Sequence, residues 1–352
     1  TVTGVQTCAL PIYSLILVAA MLSREETMKS IMERIRESGR VFVFGIGGDS
    51  GSGKTTISRG IKRILGEDMV CSFSMDDYHS LDRRQRAERR ITPLHPQANH
   101  LDLLAEHLEA LRQGKGINKP VYDHSSGEMA GTEPFGPAPV VIVEGLHPFF
   151  TERLRRAIDF KIFVDPSRSV KRLWKVRRDV GERGYQPEQV MAEILQREPD
   201  YKLYVDIQKI YAEMVVKIQD TRFHPPLPLA GPKPDWYSVR LIQEVMEQPV
   251  SPVDLNIDLS KILRSSEHEF SIEFQRDDYY GKKVGIMTVD GEIHQSMIAH
   301  LESKLCDSLG TCAEISDRRN EYVNAIGLAQ LILTWNCTEK LEHLLGRGRA
   351  SS

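Results

Sequence analysis

Residues Gly48 to Thr56 read G-D-S-G-S-G-K-T-T, and this stretch decides the fold. It fits the phosphate-binding loop pattern G-x-x-x-x-G-K-[ST]. Val41 to Ile46 (V-F-V-F-G-I) precede it. That apolar run, rich in β-branched and aromatic residues, predicts a buried strand. Lys54 to Leu65 follow, with Ile57, Ile61, Ile64 and Leu65 at helical spacing and Gly66 placed as a helix stop. Strand, glycine loop and helix in that order is the context the pattern needs. The glycines let backbone N–H groups turn inward around phosphate oxygens, and the helix N-terminus adds its dipole. The expected nucleotide-binding residues are Gly48, Asp49, Ser50, Gly51, Ser52, Gly53, Lys54, Thr55 and Thr56. Lys54 is placed to reach the outer phosphates and the Thr55 hydroxyl to bind Mg²⁺.

Further apolar runs follow the same logic. Met69 to Met75 predicts a second strand, delivering Asp76 and Asp77 at its carboxyl end. Asn99 to Gly114 predicts a helix with Leu101, Leu104, Leu108 and Leu111 on one face. Val140 to Val143 predicts a buried strand ending at Glu144, and Phe160 to Val164 another ending at Asp165, after which Pro166 is expected to open a helix. Gly131 to Pro139 reads as a loop rich in proline and glycine. Strands alternating with helices argue an α/β fold, a mostly parallel sheet with helices on both faces. Ligands in such sheets sit beyond the carboxyl ends of the strands, where the phosphate loop, Asp76 and Glu144 all fall.

The chain's character changes after Thr221. Pro225, Pro226, Pro228, Pro232 and Pro234 mark a linker over 225–235. Beyond it, Trp236 to Ile242, Phe270 to Phe274 and Lys283 to Val289 predict strands, with Asp290-Gly291 as a turn. Helical patterns run over Glu292–Leu305 and Tyr322–Leu333. The expected division is an N-terminal helix over 21–40, a phosphate-loop core over 41–224 and a C-terminal α+β extension over 236–346. The sheet of that extension either continues the core or supports a homodimer.

Composition narrows the class. Of 352 residues, 41% are hydrophobic and 27% charged, as in ordinary soluble globular proteins. A formal net charge of −3 gives no support for nucleic-acid binding. Five scattered cysteines (Cys8, Cys71, Cys306, Cys312, Cys337) contain no C-x-x-C pair, which fits a reducing cytoplasm. The apolar stretch Cys8–Leu22 is broken by Pro11 and lacks a preceding basic region, so neither a membrane span nor a signal peptide is expected. Val2 to Ile12 (V-T-G-V-Q-T-C-A-L-P-I) is similar to the translation of a sequencing-library adapter. Residues 1–20 are therefore expected to be an assembly artefact, with native translation starting at Met21, Met28 or Met32.

Three groups carry the chemistry. Glu144, at the end of V-V-I-V-E-G, suits a Mg²⁺ or metal-water contact beside the phosphate loop. Asp76, in S-M-D-D-Y-H-S-L-D-R, suits a carboxylate that accepts the proton of an attacking hydroxyl, and Asp77 either shares that role or caps the next turn. Tyr78, His79 and Arg83 are candidates for a phosphorylated substrate. Lys175, Arg178, Asp179 and Arg183 fall about one turn apart on a helix whose apolar face is Val170, Leu173 and Trp174. Such fixed cations stabilise the charge that phosphoryl transfer develops. Apart from Arg83, the run Arg83, Arg84, Arg86, Arg89, Arg90 reads as solvated surface.

Together these residues resemble the phosphoribulokinases of the uridine kinase/phosphoribulokinase family, from about Val41 to Phe223, with a weaker echo beyond. The phosphate loop is shared across the wider family. More specific are D-D-Y-H-S-L-D-R at Asp76–Arg83, L-H-P-Q-A-N at Leu94–Asn99, K-P-V-Y-D-H at Lys119–His124, E-G-L-H-P at Glu144–Pro148 and W-K-V-R-R-D-V-G-E-R-G at Trp174–Gly184. The resemblance implies transfer of the ATP γ-phosphate to O1 of ribulose 5-phosphate, giving ribulose 1,5-bisphosphate for Rubisco. It implies Asp76 as the base and sugar-phosphate contacts for His79, Arg83, Lys175 and Arg178. It implies that Asp179 and Arg183 complete the site and that Tyr122 or His124 lines it. Plant-type enzymes carry regulatory cysteines where this chain has Ser52 and Ser74. Thioredoxin control through that pair is therefore not expected, and the pattern looks closer to archaeal forms. The alternatives are a uridine or other nucleoside kinase of the same fold and a nucleotide-binding regulator without catalysis.

Overall fold

Phe42–Gly47 (β1) is buried at every position, and its side chains alternate between two cores. Phe42, Phe44 and Ile46 enter one cluster, and Val43 enters the other. That division is what a strand covered on both faces requires. The computed structural model describes residues 29–181, 184–223, 236–244, 269–310 and 321–349. The expected artefact over 1–20, the linker over 225–235, Arg183, Cys8 and Cys312 lie outside the described residues.

The first helix, α1, covers Ile31–Ser38, set by a capping box between Ser30 and Glu33 and ended by Gly39 in the left-handed region. After β1, α2 spans Lys54–Leu65 and stops at Gly66, the bounds that the leucine and isoleucine spacing predicts. There follow β2 (Val70–Ser74), a single 3₁₀ turn at Met75–Tyr78, α3 (Arg83–Arg89) and α4 (Leu101–Arg112). Leu101, Leu104, Leu108 and Leu111 of α4 are all buried.

The segment predicted as a loop from Gly131 is instead half of a hairpin. Strand β3 (Ile117–Asp123) pairs antiparallel with β4 (Glu128–Phe135). The β4 residues are almost all exposed, so no apolar alternation marks them, and only backbone pairing makes them a strand.

The core continues through β5 (Val140–Gly145), α5 (Glu152–Ala157), β6 (Phe160–Pro166), α6 (Arg168–Gly181), α7 (Pro187–Asp200) and β7 (Met214–Asp220). Pro166 does not open α6. It closes β6 opposite Ile218, and the Ser167 hydroxyl caps the helix by accepting from Val170 N at 3.3 Å. Leu173, expected on the apolar face of α6, is 42% exposed, whereas Val170 is buried.

Strands β8 (Tyr237–Glu244), β9 (Phe270–Tyr279), β10 (Lys282–His294) and β11 (Tyr322–Asn324), with helices α8 (Ala299–Leu309) and α9 (Ala325–Arg349), complete the chain. The main sheet has nine strands in the order β11-β10-β8-β7-β6-β1-β5-β2, with β9 also paired to β10. β2, β5, β1, β6 and β7 run parallel, and β8 joins β7 antiparallel. The C-terminal strands therefore extend the core sheet.

Two C-terminal expectations are corrected. Asp290-Gly291 is no turn, because β10 runs through it in register with Phe270 and Ser271. The reversal lies at Tyr280-Gly281, both at positive φ, as a tight hairpin needs. Asp290 is buried and accepts from Thr221 Oγ1 at 2.5 Å. The helix predicted from Glu292 begins only at Ala299, and the one predicted from Tyr322 begins at Ala325 and continues to Arg349. In both places the pattern's first residues pair as strand.

Candidate active site

The phosphate loop lies between β1 and α2 with α6 as its floor. Gly48 has φ +147°, and a Cβ there would stand 2.5 Å from Val164 O. Gly53 has φ +92°, and its Cβ would meet the Trp174 ring at 3.0 Å. Only glycine tolerates both demands. Lys54 Nζ donates to Asp49 O at 2.6 Å. Burial pushes the Lys54 ammonium below its ordinary range, against the pull of Asp76, Glu144 and Asp49.

Glu144, at the end of β5, faces the first turn of α2. Thr55 Oγ1 donates to Glu144 Oε1 at 3.0 Å. Glu144 Oε2 is buried with no hydrogen-bond partner among the described residues. Burial raises this carboxyl, and Lys54 and the Thr55 hydrogen bond oppose the rise. A hydroxyl and an orphaned carboxylate oxygen side by side form an oxygen donor set that suits Mg²⁺.

Asp76 and Asp77 diverge on the 3₁₀ turn. Asp77 is engaged with the hairpin, accepting from Lys119 Nζ at 2.8 Å and from Tyr122 N at 3.1 Å. Asp76 lines the open cleft, with His124 Nε2 3.9 Å from its Oδ2. Desolvation alone would raise the Asp76 carboxyl, but His79, Lys54 and His124 outweigh it and hold it below the usual range. It is therefore ionised at neutral pH.

His79 is buried, and its Nδ1 lies 2.9 Å from Asn99 Oδ1. Asn99 Nδ2 donates to Pro93 O and His95 O, both at 3.0 Å. That fixes the amide, so Nδ1 carries the proton and Nε2 is left as an acceptor. Burial depresses the imidazole, and Asp76 only partly compensates. Arg83, at the start of α3, donates to His124 O at 2.8 Å. Tyr122 packs edge-on against both His79 and His124, with ring centroids 4.8 and 5.2 Å away.

The α6 cations separate into two roles. Arg178 lines the cleft and donates to Ser50 Oγ at 3.2 Å and to Asp179 Oδ1 at 2.9 Å. Lys175 is buried behind the loop, donating to Asp179 Oδ2 at 2.8 Å and to Glu193 at 3.4 Å. Asp179 is buried too, and the bonds from Arg178 and Lys175 overcome its desolvation and lower its carboxyl. Phosphate loop, Asp76, His79, Arg83, Tyr122, His124, Glu144 and Arg178 thus share one cleft of about 720 Å³, and Lys175 and Asp179 stand behind it.

Comparison with known proteins gives the family. Residues 43–223 match the Phosphoribulokinase / Uridine kinase family. A phosphoribulokinase of Synechocystis is 32% identical over 326 residues, covering 88% of this chain and 97% of that protein. This chain belongs to the phosphoribulokinase/uridine kinase family. A chloroplastic phosphoribulokinase of Mesembryanthemum crystallinum is 32% identical over 345 residues, covering 89% of this chain and 86% of that protein. A uridine kinase of Chloroflexus aggregans is 34% identical over 179 residues, covering 49% of this chain and 85% of that protein. The chain is a kinase.

Sequence reasoning missed several of this kinase's cleft residues. Arg86 was read as surface but is 8% exposed. It donates to Leu81 O at 2.6 Å and to the Tyr122 hydroxyl at 2.9 Å. Its signal was the helical spacing from Arg83, three residues earlier on the same face. Arg197 of α7 and Arg59 of α2 also line the cleft, and no short pattern marks either. No helix among the described residues is long and apolar enough to cross a membrane.

Proposed function

We propose that this kinase transfers the γ-phosphate of ATP to O1 of ribulose 5-phosphate. The observation that carries the reading is the extent of similarity. The Synechocystis phosphoribulokinase matches 88% of the chain, whereas the uridine kinase matches 49%. The first extent requires the C-terminal strands and helices as well as the nucleotide core.

The backbone N–H groups from Gly48 to Thr56 hold the nucleotide phosphates, with Lys54 leaving the Asp49 carbonyl to reach them. Asp76, ionised and facing the cleft, accepts the proton of the O1 hydroxyl as that oxygen attacks phosphorus. Asp77 is consumed by Lys119 and Tyr122, which supports Asp76 as the base. Arg178 and Lys54 stabilise charge on the transferring group. His79, Arg83, Tyr122 and His124, which line the same cleft, hold the sugar phosphate. Lys175 and Asp179 support this cationic wall from α6, and Arg183, outside the described residues, is given a part in the site by the resemblance alone. Thr55 and Glu144 would hold Mg²⁺, which supplies neutralisation of the phosphate charge when bound. The protein works as a cytoplasmic homodimer that takes neither nucleic acid nor membrane as partner.

The test is a coupled assay of ADP release with ribulose 5-phosphate and with uridine. Turnover with the sugar phosphate at least a hundredfold more efficient than with uridine is expected. Efficient use of uridine alone would replace this reading with the nucleoside kinase, and no turnover of either would favour a regulator.

A further inference from the structure

The phosphate loop is held from below by a lysine outside the cleft. Asp49 joins the ends of the loop. Its carbonyl accepts from Lys54 Nζ at 2.6 Å and from Ser52 N at 3.2 Å. Its Oδ1 accepts from Ser50 N at 2.7 Å. Its Oδ2 accepts from Lys171 Nζ at 2.9 Å. Through one residue, three groups that shape the loop are fixed to Lys171 of α6.

Lys171 is itself immobilised. It is 5% exposed, and its ammonium lies 3.9 Å from the centroid of the Tyr201 ring. That ring is anchored by the Tyr201 hydroxyl donating to Asp206 Oδ1 at 3.2 Å. A buried ammonium between a carboxylate and an aromatic face is stable only because both partners are in place. Lys171 does not line the cleft, so it touches no substrate there. Arg197 also attracts Asp49, but it faces the cleft and is bonded to Glu193 at 2.6 Å. Desolvation would raise the Asp49 carboxyl, and Arg197 and Lys171 together keep it lowered.

We propose that Lys171 is a positioning residue for nucleotide binding, holding Asp49 so that the loop N–H groups converge on the phosphates. Preorganised groups lose much of their effect when displaced by about 1 Å. The proposal concerns the nucleotide end of the site and does not depend on which alcohol accepts the phosphoryl group.

The experiment compares Lys171→Met, Lys171→Arg, Asp49→Asn and the double variant Lys171→Met/Asp49→Asn in the full chain. It measures the KM for each substrate, the ADP dissociation constant by calorimetry and the melting temperature. Lys171→Met should weaken ADP binding and raise the KM for ATP by about tenfold or more, with the acceptor KM within about twofold. Lys171→Arg should recover part of the loss. The double variant leaves no uncompensated buried charge and should bind ADP no worse than Lys171→Met, because the two residues act as one unit. If Lys171→Met does not fold, the double variant carries the test. Unchanged ADP affinity in a folded double variant, or equal rises in both KM values, would overturn the proposal. Absence of turnover with ribulose 5-phosphate while ADP binding still follows this pattern would count against the proposed substrate and leave Lys171 in its role.

Discussion

Asp77 and Lys119 close a 2.8 Å ion pair between the 3₁₀ turn and the β3–β4 hairpin. The adjacent carboxylate, Asp76, has its nearest ion-pair partner among the described residues at 3.9 Å, in His124. Two neighbouring aspartates therefore have different surroundings. Asp76→Asn should lower kcat by about 10²–10⁴ with nucleotide affinity nearly unchanged. Asp77→Asn should instead lower the melting temperature and raise the acceptor KM, since it frees the hairpin that carries Tyr122 and His124. A crippled kcat in Asp77→Asn beside a mild Asp76→Asn would reverse the assignment.

Lys54→Ala should reduce transfer by about 10²–10³, the usual cost of losing one donor to developing charge. Activity within about threefold of wild type would contradict the role given to the loop lysine.

The Thr55–Glu144 pair predicts a metal phenotype. Glu144→Gln keeps the shape and the Thr55 hydrogen bond but removes the charge behind Oε2. The Mg²⁺ concentration for half-maximal activity should rise by about tenfold or more, the scale of one lost charged contact. An unchanged Mg²⁺ titration would show that the metal is held elsewhere.

Asp179 gives a prediction for stability against pH. Its carboxyl is lowered in the folded protein by Arg178 and Lys175. A lowered carboxylate contributes stability above its unfolded value, near 3.8, and loses it as pH falls through the folded value. Asp179→Asn should lower stability at pH 7, because Lys175 and Arg178 lose the buried charge they both face, although Lys175 keeps Glu193. The gap from wild type should narrow as pH is brought below 3.8 in denaturation measurements. A gap constant across that range would contradict the ion-pair account.

Redox insensitivity is expected as well. Ser52 and Ser74 stand where the resemblance to plant-type enzymes would put regulatory cysteines, and neither can form a disulfide. Cys71, in β2, is a free thiol raised by burial. Assays after mild oxidation and after dithiol reduction should agree within about twofold, because a thiol with a raised pKa is a poor nucleophile. Reversible loss on oxidation, abolished by Cys306→Ser or Cys312→Ser, would reveal a control absent from this account.

The nucleotide end was legible because its demands are local. Gly48–Thr56 needs glycines at fixed offsets, and the flanking strand and helix carry their own periodicities. The hairpin was not legible, since β4 buries almost nothing and its identity comes from pairing with β3. Lys175 shows another limit. Helical spacing placed it with Arg178, yet packing turned one cation toward the cleft and the other toward Glu193. Lys171 reaches Asp49 of the loop across 122 residues of sequence, a distance at which no spacing rule operates. Strand ends around Asp290 and Tyr322 failed because polar, turn-like residues there are recruited into the sheet by their neighbours.

Gln330, on the last helix, donates to the carbonyl of Thr56 at 2.9 Å across 274 residues. The helix that begins at the phosphate loop is therefore covered by a segment the ribosome makes long after it. β7 likewise waits for β8 before its outer edge is paired. A chain emerging N-terminus first must hold an open strand edge until β8 has followed and an apolar helix face until α9 has followed. Such surfaces invite association between nascent chains. Chains that terminate before α9 should accordingly accumulate as aggregates rather than as smaller active kinases, and expression yield should depend on chaperone supply more than on the stability of the finished fold.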